Sequence, residues 1–236
     1  MSELFDKLNA YYRSQGIHPL DFRCPSRGSC SAGSANFTEA RSALIGRSYG
    51  DPIRIVVLSL DPGSGWADPH LRTLEGYSSH HSTTHIDSFP KNRHWYRTFE
   101  TVAALISQFG SPRSPADVFE NIAHVNAAKC CLNLPSNKQA PRHVFENCRD
   151  YLSGEMLILE PHVIVTQGDK AAVALQRCCH GIADAQSPVV IEGHQAFWIR
   201  LVHPTAWGGA YVAEQKSWGR LFAKCLEWIK ESGTLK

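Results

Sequence analysis

Two residues in this chain have the types and settings to do chemistry together. Asp61 lies in Leu58-Ser59-Leu60-Asp61-Pro62-Gly63, at the end of an apolar run. His203 lies in Leu201-Val202-His203-Pro204-Thr205, after another apolar run. Each is therefore expected where a buried strand opens into a loop. A carboxylate there can orient and activate a water, and an imidazole can steady an anion as it departs. Together they suit hydrolysis of a bond to an anionic leaving group. Taken singly, both residues have plainer roles. Asp-Pro-Gly is good turn chemistry, and a strand-end histidine can be a core residue bonded to backbone.

The eight cysteines offer a second chemistry. Cys24 and Cys30 sit in an early stretch rich in Gly, Ser and Pro. Cys130 and Cys131 follow Asn126, and Cys148 follows Asn147 in a helical stretch. Four thiolates can hold a [4Fe–4S] cluster or a zinc ion. The alternative is the usual fate of a free thiol, a small buried hydrophobe. Cys178, Cys179 and Cys225 fall on helical apolar faces and read as core. His81 and His85, with His80 beside them, have a spacing that suits zinc on a helix and a polar loop otherwise.

These groups need elements to position them. Leu4, Phe5, Leu8, Tyr11 and Tyr12 have helical spacing. Ile53 to Leu60 is a β-branched and Leu run suited to a central parallel strand covered on both faces. Residues 61–92 read as a long loop, functional or disordered. A helix is expected over Arg93–Phe109, with Trp95, Phe99, Val102, Ile106 and Phe109 on one stripe. A short strand follows over Phe119–Val125, then a helix from Pro141 to about Leu159. His162–Thr166 reads as a strand and Lys170–Cys178 as a helix. Val189–Ile191 and Phe197–Val202 read as strands, and a last helix spans about Glu214 to Lys230. Strands alternating with helices predict an α/β fold, a three-layer α/β/α sandwich around a mostly parallel sheet of four to five strands. Ligands bind such sheets beyond the carboxyl ends of the strands. Asp61, Asn126, Gln167 and His203 would then converge.

The chain of 236 residues is expected to form one domain over 1–236, with 43% hydrophobic and 19% charged residues. A formal net charge of +2 does not by itself demand nucleic acid. No apolar stretch is long enough to span a membrane. Residues 1–7 lack the pattern of a signal peptide, so a cytoplasmic, monomeric protein is expected, and there thiols favour metal or burial over disulfides.

The fragments also resemble a family, the uracil-DNA glycosylase superfamily, and in particular its iron–sulfur branch. The resemblance runs from about Cys24 to the final helix, with its pieces in family order. Leu60-Asp61-Pro62-Gly63 is similar to the first motif. Asn126-Ala127-Ala128-Lys129-Cys130 is similar to an Asn-Val-Val-Lys-Cys segment. Pro161 to Gly168 resembles the strand that follows, and His203-Pro204-Thr205 resembles His-Pro-Ser. Asn92-Arg93-His94-Trp95 is similar to an Asn-Arg-Phe-Trp segment of the mismatch-specific branch. There are departures. Five residues separate the first two cysteines where two are usual. Asp61 is the mark of the classical uracil enzymes rather than of the iron–sulfur branch, and Thr205 replaces Ser.

The resemblance implies an enzyme that flips a base out of DNA and hydrolyses its N-glycosidic bond. It implies that Asp61 stabilises the sugar cation and orients water, and that His203 bonds the departing base. Asn126 would read the base edge, Gly63 and Gly65 would allow close backbone approach, and Phe89 is the expected stacking aromatic, in competition with Trp66 and Trp95. Cys24, Cys30, Cys130 and Cys148 would hold a [4Fe–4S] cluster, with zinc the alternative. Uracil is one expected substrate. A hypermodified cytosine of viral DNA, removed in anti-phage defence, is another, and a cluster-bearing DNA binder without turnover is the contrasting expectation. Arg72, Lys91, Arg93, Arg97, Lys138 and Arg142 are expected phosphate contacts.

Overall fold

In a computed structural model, the structure describes residues 2–233 except 33, 35, 64–65, 83–90, 92, 111–113, 135–139, 181–184 and 207–208. Its centre is β4 (Ile55–Ser59), whose five residues are all buried. Such a run of β-branched and Leu side chains is stable only when both faces are covered. β4 pairs in parallel with β5 (Ile122–Asn126) on one side and β6 (Val163–Gln167) on the other. β8 (His194–Leu201) extends the parallel set beside β6. Two antiparallel edges complete it: β3 (Leu44–Ile45) on β5, and β7 (Ser187–Ile191) on β8. The sheet therefore has six strands, ordered β3-β5-β4-β6-β8-β7, against the four to five expected. The additional strand is the two-residue β3, which is set by pairing rather than by its own sequence. A separate two-stranded ribbon joins β1 (Ile17–His18) and β2 (Asp21–Phe22).

Strand alternation sends successive side chains to opposite layers. Val56, Leu58, Ala123, Val125 and Ile164 pack with residues of α1 (Ser2–Ser14), α6 (Arg142–Leu159) and α7 (Asp169–Cys178). Ile55, Val57, Ile122, Val163, Val165 and Ile199 pack with α4 (His94–Ile106) and α9 (Trp218–Glu231). This is the expected three-layer sandwich. Two short helices, α2 (Arg27–Ser31) and α5 (Pro115–Val118), lie in connections.

Helical structure differs from expectation in three places, the first being Phe119–Asn121, a 3₁₀ turn where the start of a strand is expected, so that β5 begins only at Ile122. Within the supposed long loop, α3 (Leu74–Ser82) is helical, with Leu74 and Tyr77 fully buried. The last helix is two: α8 (Ala210–Gln215) and then α9. The break is stabilised by Ser217, whose hydroxyl donates to the Glu214 carbonyl at 2.7 Å. Among the described residues no helix is long and apolar enough to cross a membrane.

Candidate active site and thiol centre

The strand order places the expected groups together. Asp61 follows β4, Asn126 ends β5, Gln167 ends β6 and His203 follows β8, so four adjacent parallel strands present them at the same end. Ser59, His124, Asn126 and Gln167 share the α4 side by strand alternation, and each is buried. Beneath them runs a connected polar chain. His124 Nε2 lies 2.9 Å from Ser59 Oγ, and Ser59 donates to Gln167 Oε1 at 2.8 Å. Because the serine proton goes to Gln167, His124 carries its own proton on Nε2. Gln167 Nε2 donates to Thr98 at 2.9 Å, and Thr98 donates to the His94 carbonyl at 2.8 Å. The first turn of α4 is thus locked to the strand ends.

His203 is half-buried, and two contacts fix its tautomer. The Thr205 backbone N–H donates to His203 Nδ1 at 3.3 Å, and Thr205 Oγ1 lies 2.9 Å from the same atom. An N–H can only donate, so Nδ1 is an acceptor and the neutral ring carries its proton on Nε2. Burial pushes the imidazole pKa down, and the Asp61 carboxylate opposes that shift, so acid and imidazole sense each other. Gly168 makes the approach possible. Its φ of +89° favours glycine, and a Cβ there would stand 3.3 Å from the His203 Cβ. The Glu214 carboxylate accepts the Val202 N–H at 2.9 and 3.1 Å, and Arg97 Nη1 donates to the Pro204 carbonyl at 2.6 Å.

Asp61 is half-buried. Its Oδ1 accepts the Gly63 N–H at 2.8 Å, closing a turn that needs the glycine's φ of +68°. Its Oδ2 accepts the Ala140 N–H at 3.1 Å. The turn role is therefore present, and each oxygen keeps a further lone pair for a ligand. Asn126 is 3% exposed, and its carboxamide makes no hydrogen bond among the described residues. That leaves its donor and its acceptor for a ligand.

The aromatic ring beside His203 is His94, with centroids 5.1 Å apart and planes tilted by 40°. Its ring is sunk among protein atoms while the residue keeps a partly open edge. Burial, then the neighbouring His203, lowers its pKa to about 3. The helix stripe that drew attention to Trp95 obscured it, although His94 directly precedes that residue. Trp95 is packed 5.5 Å from Phe99 and 4.6 Å from His124. Trp66 lies against Tyr77, His80 and the Arg41 guanidinium. Phe89, the expected stacking residue, lies outside the described residues, as do His85, Gly65 and Lys138. Two expected phosphate contacts turn inward instead. Arg97 holds Pro204, and Arg72 is 6% exposed and bonds the Glu39 and Ala40 carbonyls. Lys91 and Arg93 are exposed, and Arg142 pairs with Glu146 at 2.7 Å. A groove of about 470 Å³ between Gln186 and α9, lined also by Arg220, Leu221, Lys224 and Glu227, includes none of the converging groups.

No protein-family model matches this chain, and no curated protein is detectably similar to it.

The thiols gather on the opposite layer. Burial raises the pKa of Cys130, and the charges of Cys148, Cys24 and Cys30 raise it further. Burial likewise pushes Cys148 up to about 11, against the Lys129 N–H that lowers it. Each of the four sulfurs has a polar hydrogen beside it. The Ala40 N–H meets Cys130, and the Lys129 N–H donates to Cys148 at 3.4 Å. Asn147 Nδ2 donates to Cys30 at 3.2 Å, and the Tyr151 hydroxyl lies 3.4 Å from Cys24. Donors around sulfur suit ligating thiolates. Cys131 is turned away, 3.3 Å from Asn133 Oδ1. Cys130 is therefore the member of this group. Among the described residues, no three His, Cys, Asp or Glu side chains are closed to metal-ligating distance. By its chemistry, the donor set is of the kind that a soft metal centre takes.

One loop joins the two places. Ala127 and Ala128 N–H groups donate to the Ser59 and Leu60 carbonyls, each at 2.9 Å. Lys129 Nζ donates to the Asn126 carbonyl at 2.7 Å and pairs with Glu155; these two side chains are 2% and 0% exposed. Tyr12 donates to the same Glu155 at 2.7 Å.

Proposed function

We propose that this chain is a DNA glycosylase. It extrudes a modified or damaged base, uracil or a hypermodified pyrimidine, and hydrolyses the N-glycosidic bond to leave an abasic site. The observation that carries the reading is the crown of Asp61, Asn126 and His203 at the same end of one parallel run of strands, with an Asn126 carboxamide and a His203 Nε2–H that bond no described residue. The resemblance of these segments to the uracil-DNA glycosylase superfamily points the same way. A DNA-binding enzyme of the cytoplasm, where thiols stay reduced, also suits the cysteine content.

Extruding a base costs a few kcal/mol, and the pocket must repay it. Asn126 offers a donor and an acceptor to the base edge. His94 offers a ring face beside it. As the C1′–N bond breaks, its electron pair stays on the base, and negative charge grows on a base carbonyl. His203 Nε2–H donates to that oxygen without giving up its proton, which a neutral imidazole can do at physiological pH. The Asp61 carboxylate stabilises the sugar cation and orients a water. The water oxygen bonds to C1′, and its released proton passes through Asp61 to solvent, which reprotonates the base. Cys24, Cys30, Cys130 and Cys148 would hold a [4Fe–4S] cluster, or zinc as the alternative ion, which when bound would cross-link the early loop, the loop after β5 and α6.

The test is a glycosylase assay on single- and double-stranded DNA carrying uracil, other modified pyrimidines or phage-derived hypermodified cytosine. Aldehyde-reactive abasic sites on at least one substrate are expected. DNA binding without abasic product overturns the enzymatic reading in favour of a binder. Neither binding nor product overturns both.

A further inference from the structure

Arg72 is a buried cation whose natural partner is missing from its own side-chain surroundings. It is 6% exposed. Its Nη1 donates to the Glu39 and Ala40 carbonyls, the latter at 3.4 Å. Its Nε is buried and has no hydrogen-bond partner among the described residues. No carboxylate stands at ion-pair distance from it there, and Glu39 pairs with Arg27 at 2.6 Å. Burial disfavours its charge, and so does nearby Arg41, while Glu39, Cys130 and Asp68 favour it. The link to Cys130 is short in space: the Ala40 carbonyl accepts from Arg72, and the Ala40 N–H meets the Cys130 sulfur.

An uncompensated buried charge is strongly destabilising. Four thiolates around a doubly positive cluster core or ion leave a net charge of about −2. We infer that Arg72 is the internal counter-charge of the thiol centre, a positioning residue that holds an anionic metal–thiolate group in a low-dielectric layer. The inference rests on the metal-binding part of the proposed function and not on glycosylase activity. Arg72 bonds and breaks nothing. It lowers the energy of the loaded state, and in the metal-free protein its charge is a liability.

That sign reversal gives the test. Arg72→Gln keeps donors for the two carbonyls and removes the charge, whereas Arg72→Lys keeps the charge. Purified full-length proteins are first analysed for iron and zinc. Metal release to a chelator is then timed, and urea unfolding is measured for metal-loaded and metal-stripped protein. R72Q should release metal faster, on the order of tenfold or more. R72K should stay near wild type, and stripped R72Q should be no less stable than stripped wild type. Equal release by R72Q and wild type overturns the inference. So does a parallel loss of stability in both states, which marks a purely structural arginine. Wild-type protein that carries neither iron nor zinc, and takes up neither when supplied, overturns the metal reading itself and the inference with it. Abasic-site formation is read separately from all of these.

Discussion

The strand-end crown and the thiol pocket lie on opposite layers of the same sheet and are finished differently. At the crown, Asn126 has a carboxamide with no partner among the described residues, and His203 turns Nε2–H away from its own bonds. In the thiol pocket every one of the four sulfurs already has an N–H or O–H beside it. Idle donors and acceptors suit a guest that arrives and leaves, because its bonds replace those to water. Saturated donors suit a resident group whose charge must be held continuously. The loop 126–130 belongs to both, since it carries Asn126 at one end and Cys130 at the other.

The largest expected effects fall at the crown and would break the comparison if absent. Asp61→Asn keeps the turn, because an amide oxygen still accepts the Gly63 N–H, and removes the charge. Abasic-site formation should fall by about 10²–10⁴ with DNA affinity little changed. His203→Ala should cost about 10²–10³, the usual loss for one donor to a developing oxyanion. Single-turnover rates and binding isotherms on the same substrate separate the two effects. If either variant turns over normally, that residue is only a turn or core residue. Neither substitution should change metal content.

What could be read beforehand follows from what side-chain pattern encodes. The buried run Ile55–Ser59 announced a central strand because nothing else tolerates so many β-branched residues covered on both faces. The convergence of Asp61, Asn126, Gln167 and His203 followed from strand ends alone. Pattern encodes neither direction nor partnership. Arg72 and Arg97 read as phosphate contacts, yet their guanidiniums serve backbone carbonyls inside the fold. The α8–α9 break keeps apolar residues in phase on both sides, so periodicity passes over it. His94 was overlooked because its role is set by His203, distant in sequence and 5.1 Å away between ring centroids.

The next effect tests the shared loop. Lys129→Met leaves the Glu155 carboxylate, 0% exposed, without its cation. Breaking one half of a buried pair typically costs about 3–5 kcal/mol. Urea unfolding should show a loss of that order, and the paired change to Met at both positions should recover much of it. The same single variant should weaken both metal retention and base cleavage, because the loop serves both. A loss confined to one region would show that the loop does not couple them.

The smallest effect is a slope in pH, and it sharpens the contrast by isolating a crown ring from the thiols. His94 is neutral when folded, with its pKa held at about 3 by burial and by His203. The unfolded chain takes up a proton near pH 6.5, which the folded ring refuses until about pH 3. Its contribution to stability is therefore complete above pH 6.5 and is lost progressively as pH falls toward 3. His162, lowered to about 4 by burial and Arg54, contributes in the same direction. His94→Phe should flatten this acid limb by up to one proton while leaving the part due to His162. Unfolding free energies at three or four pH values between 7 and 4 measure it. Identical slopes in both proteins would mean that the folded ring accepts its proton as readily as the unfolded chain, and His94 would then be too well solvated to present a dry face to a base.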